Sequence, residues 1–292
     1  MDLVASARPE VDVGVGFLEL CEPAAGAALD DLVRRGADRV AVLPVMLQAA
    51  GHAKSDVASV VVEARLRHPD VLFAYGRPLG ADHGLLTLAH EKLRKAGATG
   101  LPLAVLGRGT SDPEANAEGY KIARLLAEFA RAPFVTTGFS GVTWPSVPEA
   151  LVQLERFGGG RVATFAWFLA TGVLIERMHD QLREFSARTG IEVVDGGYLG
   201  ADEAVAAILV VRHAEALAGD VRMSCDTCAY RRPFPGLEDR VGQPIGVGHS
   251  HLAFAHQHAH FHGATKSGTR WNEETRLDPV STPAVRDRLP AK

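Results

Sequence analysis

Two stretches of this chain repeat each other at a fixed spacing. Phe17-Leu-Glu-Leu-Cys-Glu-Pro23 aligns with Phe139-Ser-Gly-Val-Thr-Trp-Pro145, and Val40-Ala-Val-Leu-Pro-Val-Met-Leu47 aligns with Val162-Ala-Thr-Phe-Ala-Trp-Phe-Leu169. Both pairs are offset by 122 positions. A constant offset across separate stretches marks a duplicated unit rather than a chance match. The copies differ at positions suited to chemistry: the first carries Glu19 and His52, where the second carries Gly141 and Leu174.

Short apolar runs alternate with amphipathic stretches. The runs are Val11–Leu20, Arg39–Leu47, Val71–Tyr75, Leu101–Leu106, Pro133–Phe139, Arg161–Leu169 and Ile191–Val194. Helical patterns lie between them at Ala25–Arg35, Ser55–Arg67, Ala115–Ala130, Val147–Phe157, Gly172–Thr189 and Asp202–Ala218. Near-continuous apolar strands between helices argue for parallel sheets covered on both faces. The expected fold is therefore α/β, with two tandem doubly wound, flavodoxin-like units and an irregular His-rich tail. The expected divisions are 1–98, 99–219 and 220–292, the last rich in Gly, Pro, His, Arg and Thr and either disordered or held by a metal.

The second copy opens with the strand Leu101–Leu106, the loop Gly107-Arg-Gly-Thr-Ser-Asp-Pro113 and a helix. The matching strand and loop of the first copy would fall before Met1. In a flavodoxin-like order the first strand is interior, so its loss leaves unpaired backbone groups on both sides of a gap. The expectation is an upstream start, with a rearranged first copy as the alternative.

His52 follows a strand end in Pro44-Val-Met-Leu-Gln-Ala-Ala-Gly-His52, and Glu19 stands near the end of the preceding strand. Ligands of open α/β sheets bind outside the carboxyl ends of strands. A His and a Glu converging there can bind a divalent metal and accept protons. Cys225 and Cys228 supply two thiolates at a spacing suited to one metal or one cluster edge, while tetrahedral zinc and iron–sulfur clusters usually need four ligands. His249, His251, His256, His258, His260 and His262 crowd into a short tract able to bind Co²⁺, Ni²⁺, Cu²⁺ or Zn²⁺. A flexible tail cannot preorganise a geometry, so this tract reads as a metal buffer or delivery site rather than a catalytic one. Gly107-Arg-Gly-Thr-Ser111 reads equally as a tight turn or as a carboxylate cradle at a helix N-terminus.

Bulk properties narrow the classes. A net charge of −4 gives no basic stripe for nucleic acid. No run of about 18 apolar residues suggests a membrane span, and the first residues lack a signal-peptide pattern. Three cysteines, two of them in Cys-x-x-Cys, point to metal or redox chemistry in a reducing cytoplasm. A homo-oligomer is compatible with all of this.

Together these features resemble the class II chelatases of tetrapyrrole synthesis, in particular the long-form sirohydrochlorin cobaltochelatases. Phe17-Leu-Glu19 and Pro44-Val-Met-Leu47…Gly51-His52 match segments of that family's first domain. Met223-Ser-Cys-Asp-Thr-Cys228 and His249–His262 match the motifs added in its long forms. The resemblance implies insertion of Co²⁺ into sirohydrochlorin in cobalamin biosynthesis. It implies His52 as metal-binding base, Glu19 as its acidic partner, and Cys225 and Cys228 as ligands of an iron–sulfur cluster. The family's first catalytic histidine, in a Gly-His-Gly loop, has no counterpart, and the second copy presents Arg108 there, a side chain that does not ligate metal at neutral pH. Two other readings stand beside this one. One is a non-catalytic cobalt- or nickel-binding protein; the other is a chelatase of the same fold for Fe²⁺ or Ni²⁺.

Overall fold

Strands with apolar residues on both faces need cover on both faces, and the chain supplies it with helices between successive strands. In the computed structural model, residues 2–221, 228, 230–233 and 236–242 are described. All of them belong to one compact unit, Met1–Val247. The first half holds α1 (Asp2–Ala7), α2 (Ala25–Arg34), β1 (Arg39–Val42), α3 (Val57–Arg67), β2 (Leu72–Tyr75) and α4 (His83–Lys95). The second half holds β3 (Leu103–Gly107), α5 (Pro113–Ala130), β4 (Val135–Phe139), α6 (Val147–Phe157), β5 (Arg161–Ala166), α7 (Val173–Thr189), β6 (Glu192–Tyr198) and α8 (Glu203–Ala218).

Among the described residues, every strand pairing is parallel. The second sheet has the order β4-β3-β5-β6, which puts β3 inside it, and the first sheet pairs β1 with β2. The doubly wound α/β architecture expected from the sequence is therefore present, and local rules explain its helix starts. Asp112 caps α5 ahead of Pro113, Ser146 and Glu149 form a capping box on α6, and Asp202 caps α8.

Helices α2 and α3 build one core with the first sheet through Leu29, Leu32, Val40, Val61, Ala64 and Phe73. Helices α6 and α7 cover one face of the second sheet. The other face of that sheet packs on α5 and, from the first half, α4. Reciprocally, α8 packs on β1, β2 and α1. The last helix of each half thus crosses onto the other half. Two glycines permit these close approaches. A Cβ at Gly196 would lie 2.7 Å from Leu93 Cδ2 on α4, and one at Gly76 would lie 2.5 Å from Leu43 Cδ2 and 3.4 Å from Ala216 Cβ on α8. Arg212, buried on α8, ties the crossing by donating to the carbonyls of Pro78 and Leu79 and to Asp82.

One expectation changes. The apolar run Val11–Leu20 forms no strand, only an isolated bridge between Phe17 and Ala24. Its equivalent, β4, owes its ladder to β3, and no described strand stands in that place beside residues 13–16. Among the described residues, no helix is long and apolar enough to cross a membrane.

Candidate functional site

The chain after β1 leaves the sheet edge at Leu43 and reaches a turn of π-helix, His52–Asp56, which runs directly into α3. His52 opens that turn. Residues four apart on a helical turn face each other, and here His52 Nδ1 lies 2.6 Å from Asp56 Oδ2. A carboxylate at Nδ1 favours the tautomer with its proton on that nitrogen, which puts the lone pair on Nε2. Both side chains are partly buried.

The same turn is fastened to the second half. Lys54 Nζ donates to Asp112 Oδ2 at 2.8 Å and to Glu114 Oε2 at 2.5 Å. Lys54 is 5% exposed and Asp112 2%. Burial alone would lower the Lys54 pKa, but the hydrogen bonds to both carboxylates outweigh it, and the value rises above the ordinary 10.5. Asp112 also accepts from the backbone of Glu114 and Ala115 as the cap of α5, so one carboxylate joins the His52 turn to the end of the Gly107–Asp112 loop. On the other side of the turn, the Tyr75 hydroxyl donates to the Ala53 carbonyl at 2.5 Å. Burial, assisted by the Asp56 charge, pushes the Tyr75 phenol well above its usual range.

Glu19 is exposed on the loop between Phe17 and Pro23. That loop is closed by hydrogen bonds from Phe17 N to Pro23 O at 2.9 Å and from Ala25 N to Phe17 O at 2.8 Å. The loop after β4 has the same form: Phe139 N donates to Pro145 O at 2.8 Å, and Phe139 bridges Ser146 as Phe17 bridges Ala24. Leu20 and Val142 occupy matching left-handed positions, with φ of 65° and 70°. Glu19 and Gly141 therefore hold equivalent places in the same loop geometry. Arg108 is exposed on the loop between β3 and α5, and Ser140 Oγ donates to its carbonyl at 3.4 Å.

Tyr230 and Arg240 reach the same region. Tyr230 Oη lies close to Gly51, and Arg240 donates to Ser111 at 3.2 Å while its guanidinium lies 6.0 Å from the Tyr230 ring centre. Cys228, two residues from Tyr230, is half-buried and carries a free thiol. Cys225 and His249, His251, His256, His258, His260 and His262 lie outside the described residues. Among the described residues, no three His, Cys, Asp or Glu side chains gather closely enough to hold a metal ion.

Sequence reasoning missed Asp56, Lys54 and Asp112. The His52-x-x-x-Asp56 spacing was visible as a helical pairing. Nothing in the sequence revealed that Lys54 is buried against a second half 58 residues further on.

The body is a duplicated, doubly wound parallel α/β fold, with Glu19 on a loop and His52 on the turn that leads into α3. The CbiX family model matches residues 1–96 and 102–216, and the chain belongs to that family. It is 38% identical over 222 residues to a sirohydrochlorin cobaltochelatase of Priestia megaterium, covering 74% of this chain and 72% of the relative. It is 29% identical over 175 residues to a sirohydrochlorin ferrochelatase of Bacillus subtilis, covering 59% of this chain and 67% of the relative. The solved structure of SirB from Bacillus subtilis with Fe³⁺ superposes with a TM-score of 0.67 at 26% identity, covering 75% of this chain and 88% of that one.

Proposed function

We propose that the protein is a sirohydrochlorin chelatase that inserts Co²⁺ into its tetrapyrrole substrate, with His52 as the metal-carrying base and Glu19 as its acidic partner. The observation that carries this reading is the His52–Asp56 pair, which directs the imidazole lone pair to Nε2. The names of the relatives supply the substrate class.

Metal insertion removes two pyrrole N–H protons and exchanges ligands at the ion. An imidazole serves both needs: its lone pair delivers the ion, then accepts a proton as the macrocycle nitrogens replace it. The Asp56 carboxylate holds the ring by its Nδ1 throughout, so Nε2 keeps its orientation. Glu19 takes the second proton, and water carries both away. Two protein ligands rather than a full cage suit an ion that must leave. The second half contributes the opposing wall, where Arg108 meets the substrate's carboxylates. The six histidines of 249–262 would load and buffer the ion, Cys225 and Cys228 would supply two of the ligands of an iron–sulfur cluster, and the units divide near residues 98 and 219.

Fe²⁺ insertion is the second reading, favoured by the ferrochelatase names of other relatives. A cobalt- or nickel-handling protein without catalysis is the third, favoured by the histidine tract. Anaerobic assays of the purified chain with sirohydrochlorin and either Co²⁺ or Fe²⁺, followed by the absorbance of the metallated product, separate the three. Co²⁺ insertion is expected to be faster, and His52→Ala is expected to lose most of the rate. An unchanged rate in that variant removes His52 from the mechanism; preference for Fe²⁺, or no insertion of either ion, transfers support to the second or third reading.

A further inference from the structure

We propose that Trp144 is a substrate-contacting residue: its indole covers the apolar face of the macrocycle, while cations on the neighbouring loop meet the carboxylates at the macrocycle's edge. The inference rests on the chelatase reading and adds to it a contact that neither His52 nor Glu19 supplies.

The loops at 17–23 and 139–145 share one backbone form and differ in charge. The first carries Glu19 and Glu22, and the second carries no charged residue. At the repeat offset, Trp144 stands where Glu22 stands. Glu22 turns back onto its own loop and accepts from Ala24 N at 2.9 Å. Trp144 instead is 79% exposed. Leu20 and Val142 are exposed at matching positions in both loops, so the difference lies in Glu19 and Glu22 against Gly141 and Trp144. Val142 is also β-branched and held at φ 70°, a conformation such residues avoid. Strained backbone of this kind gathers at ligand-binding loops.

The neighbouring loop, between β3 and α5, supplies the opposite charge. It interlocks with 139–145. A Cβ at Gly109, whose φ is 78°, would lie 2.4 Å from the Gly141 carbonyl oxygen and 2.8 Å from Thr143 Cγ2. Ser140 N donates to Gly107 O at 2.9 Å. Arg108 is exposed on that loop, and Arg240 donates to its Ser111. An indole and two guanidinium groups are thus held by loops that lock together. The same loop ends at Asp112, which accepts from Lys54 on the His52 turn, so this rim borders the candidate site.

A flat conjugated ring edged by carboxylates has two chemical parts. Its face is apolar and favours an aromatic plane in offset stacking. Its edge favours guanidinium, whose planar fork matches a carboxylate. The rim of the second half offers both. The loop of the first half offers carboxylates, which suit a cation. The two halves therefore divide the two substrates, the ion against Glu19 and the macrocycle against Trp144.

The test measures tetrapyrrole binding apart from metal insertion. Metal-free uroporphyrin, a stable polycarboxylate ring, is titrated into the full chain and followed by its absorbance. Trp144→Ser is expected to weaken binding about tenfold or more, and Trp144→Phe, which keeps an aromatic plane, to retain most of it. In insertion assays with sirohydrochlorin and Co²⁺, the loss in Trp144→Ser is expected in KM rather than in kcat. Affinity for Co²⁺ alone and the melting temperature are expected to match the parent, because the side chain is exposed. Equal uroporphyrin binding by Trp144→Ser and the parent overturns the proposal and leaves the chelatase reading standing. Equal losses in Trp144→Phe and Trp144→Ser also overturn it, since the aromatic plane would then do nothing. A parent chain that binds neither uroporphyrin nor sirohydrochlorin overturns the chelatase reading and the proposal together.

Discussion

Replacing Lys54 with methionine removes the cation that bridges Asp112 and Glu114 while keeping the length and apolar stem of the side chain. The two carboxylates remain, one of them 2% exposed, with no ammonium between them. Breaking a buried ion pair from one side costs roughly 3–5 kcal/mol, because a charge is left buried without its counter-ion. Asp112 keeps two backbone N–H donors from its role as helix cap. Glu114 is less buried, so it can turn toward water. Both facts place the cost at the low end, about 3 kcal/mol. For a folded body of this size each kcal/mol moves the melting temperature by about 2–4 °C, giving a fall of roughly 6–12 °C. Calorimetry at pH 7 measures it. The triple variant Lys54→Met, Asp112→Asn, Glu114→Gln should regain much of that loss, since it removes the stranded charges too. There is also a pH signature. The Lys54 pKa is raised in the folded protein, so its contribution is complete below the ordinary 10.5 and disappears as pH rises through the elevated value. Lys54→Met should remove that part of the alkaline destabilisation and leave the part from Tyr75. A melting temperature within about 2 °C of the parent would refute the reasoning, because it would mean that the bridge contributes nothing net.

Asp56→Asn keeps the shape beside His52 Nδ1 but removes the charge; metal affinity or chelatase rate should fall about 10- to 100-fold, measured by cobalt titration and product absorbance. Gly196→Val forces a side chain into Leu93, 2.7 Å from where its Cβ must sit, and should cost about 1–3 kcal/mol in urea unfolding. Arg77 hydrogen-bonds Glu215 and holds its carboxyl below the ordinary 4.5, so that ion pair stabilises above 4.5 and fades as pH falls through the depressed value. Glu215→Gln should therefore flatten the acid limb of the stability curve, and an unchanged limb would assign acid sensitivity elsewhere.

Much of the second sheet was legible because local pattern and global fold agree there. Val147–Phe157 reads as a helix from its capping box and apolar spacing, and it is one. The first half was harder. Val11–Leu20 has the composition of a strand, but a strand is a pairing, and composition cannot report whether a neighbour stands beside it. Helix α4 was not among the expected helices although Leu85, Leu86, Leu88, Ala89 and Leu93 have helical spacing; what the sequence could not show is that this stripe is buried against the other half. At the candidate site, His52 and Glu19 stood out by contrast with their repeats. Lys54 did not, because a buried lysine and a solvated one are the same letter, and only the distant partner distinguishes them.

The comparison of the two halves separates scaffold from chemistry. The loops at 17–23 and 139–145 close with the same hydrogen bonds and hold Leu20 and Val142 in the same left-handed conformation. A backbone held so similarly beneath different side chains means that the loop form does not depend on Glu19 or Gly141. Glu19 is therefore a side chain that the loop carries without needing it for its form. His52 differs from Glu19 in this respect. Its turn is wedged between Tyr75 of its own half and Asp112 and Glu114 of the other. The second half, which lacks both candidate groups, thus still bears on the candidate site by fixing the turn that carries the imidazole. Loosening that contact should move His52 before it disturbs Glu19, and amide exchange across residues 52–56 in Lys54→Met should rise while residues 17–23 stay unchanged.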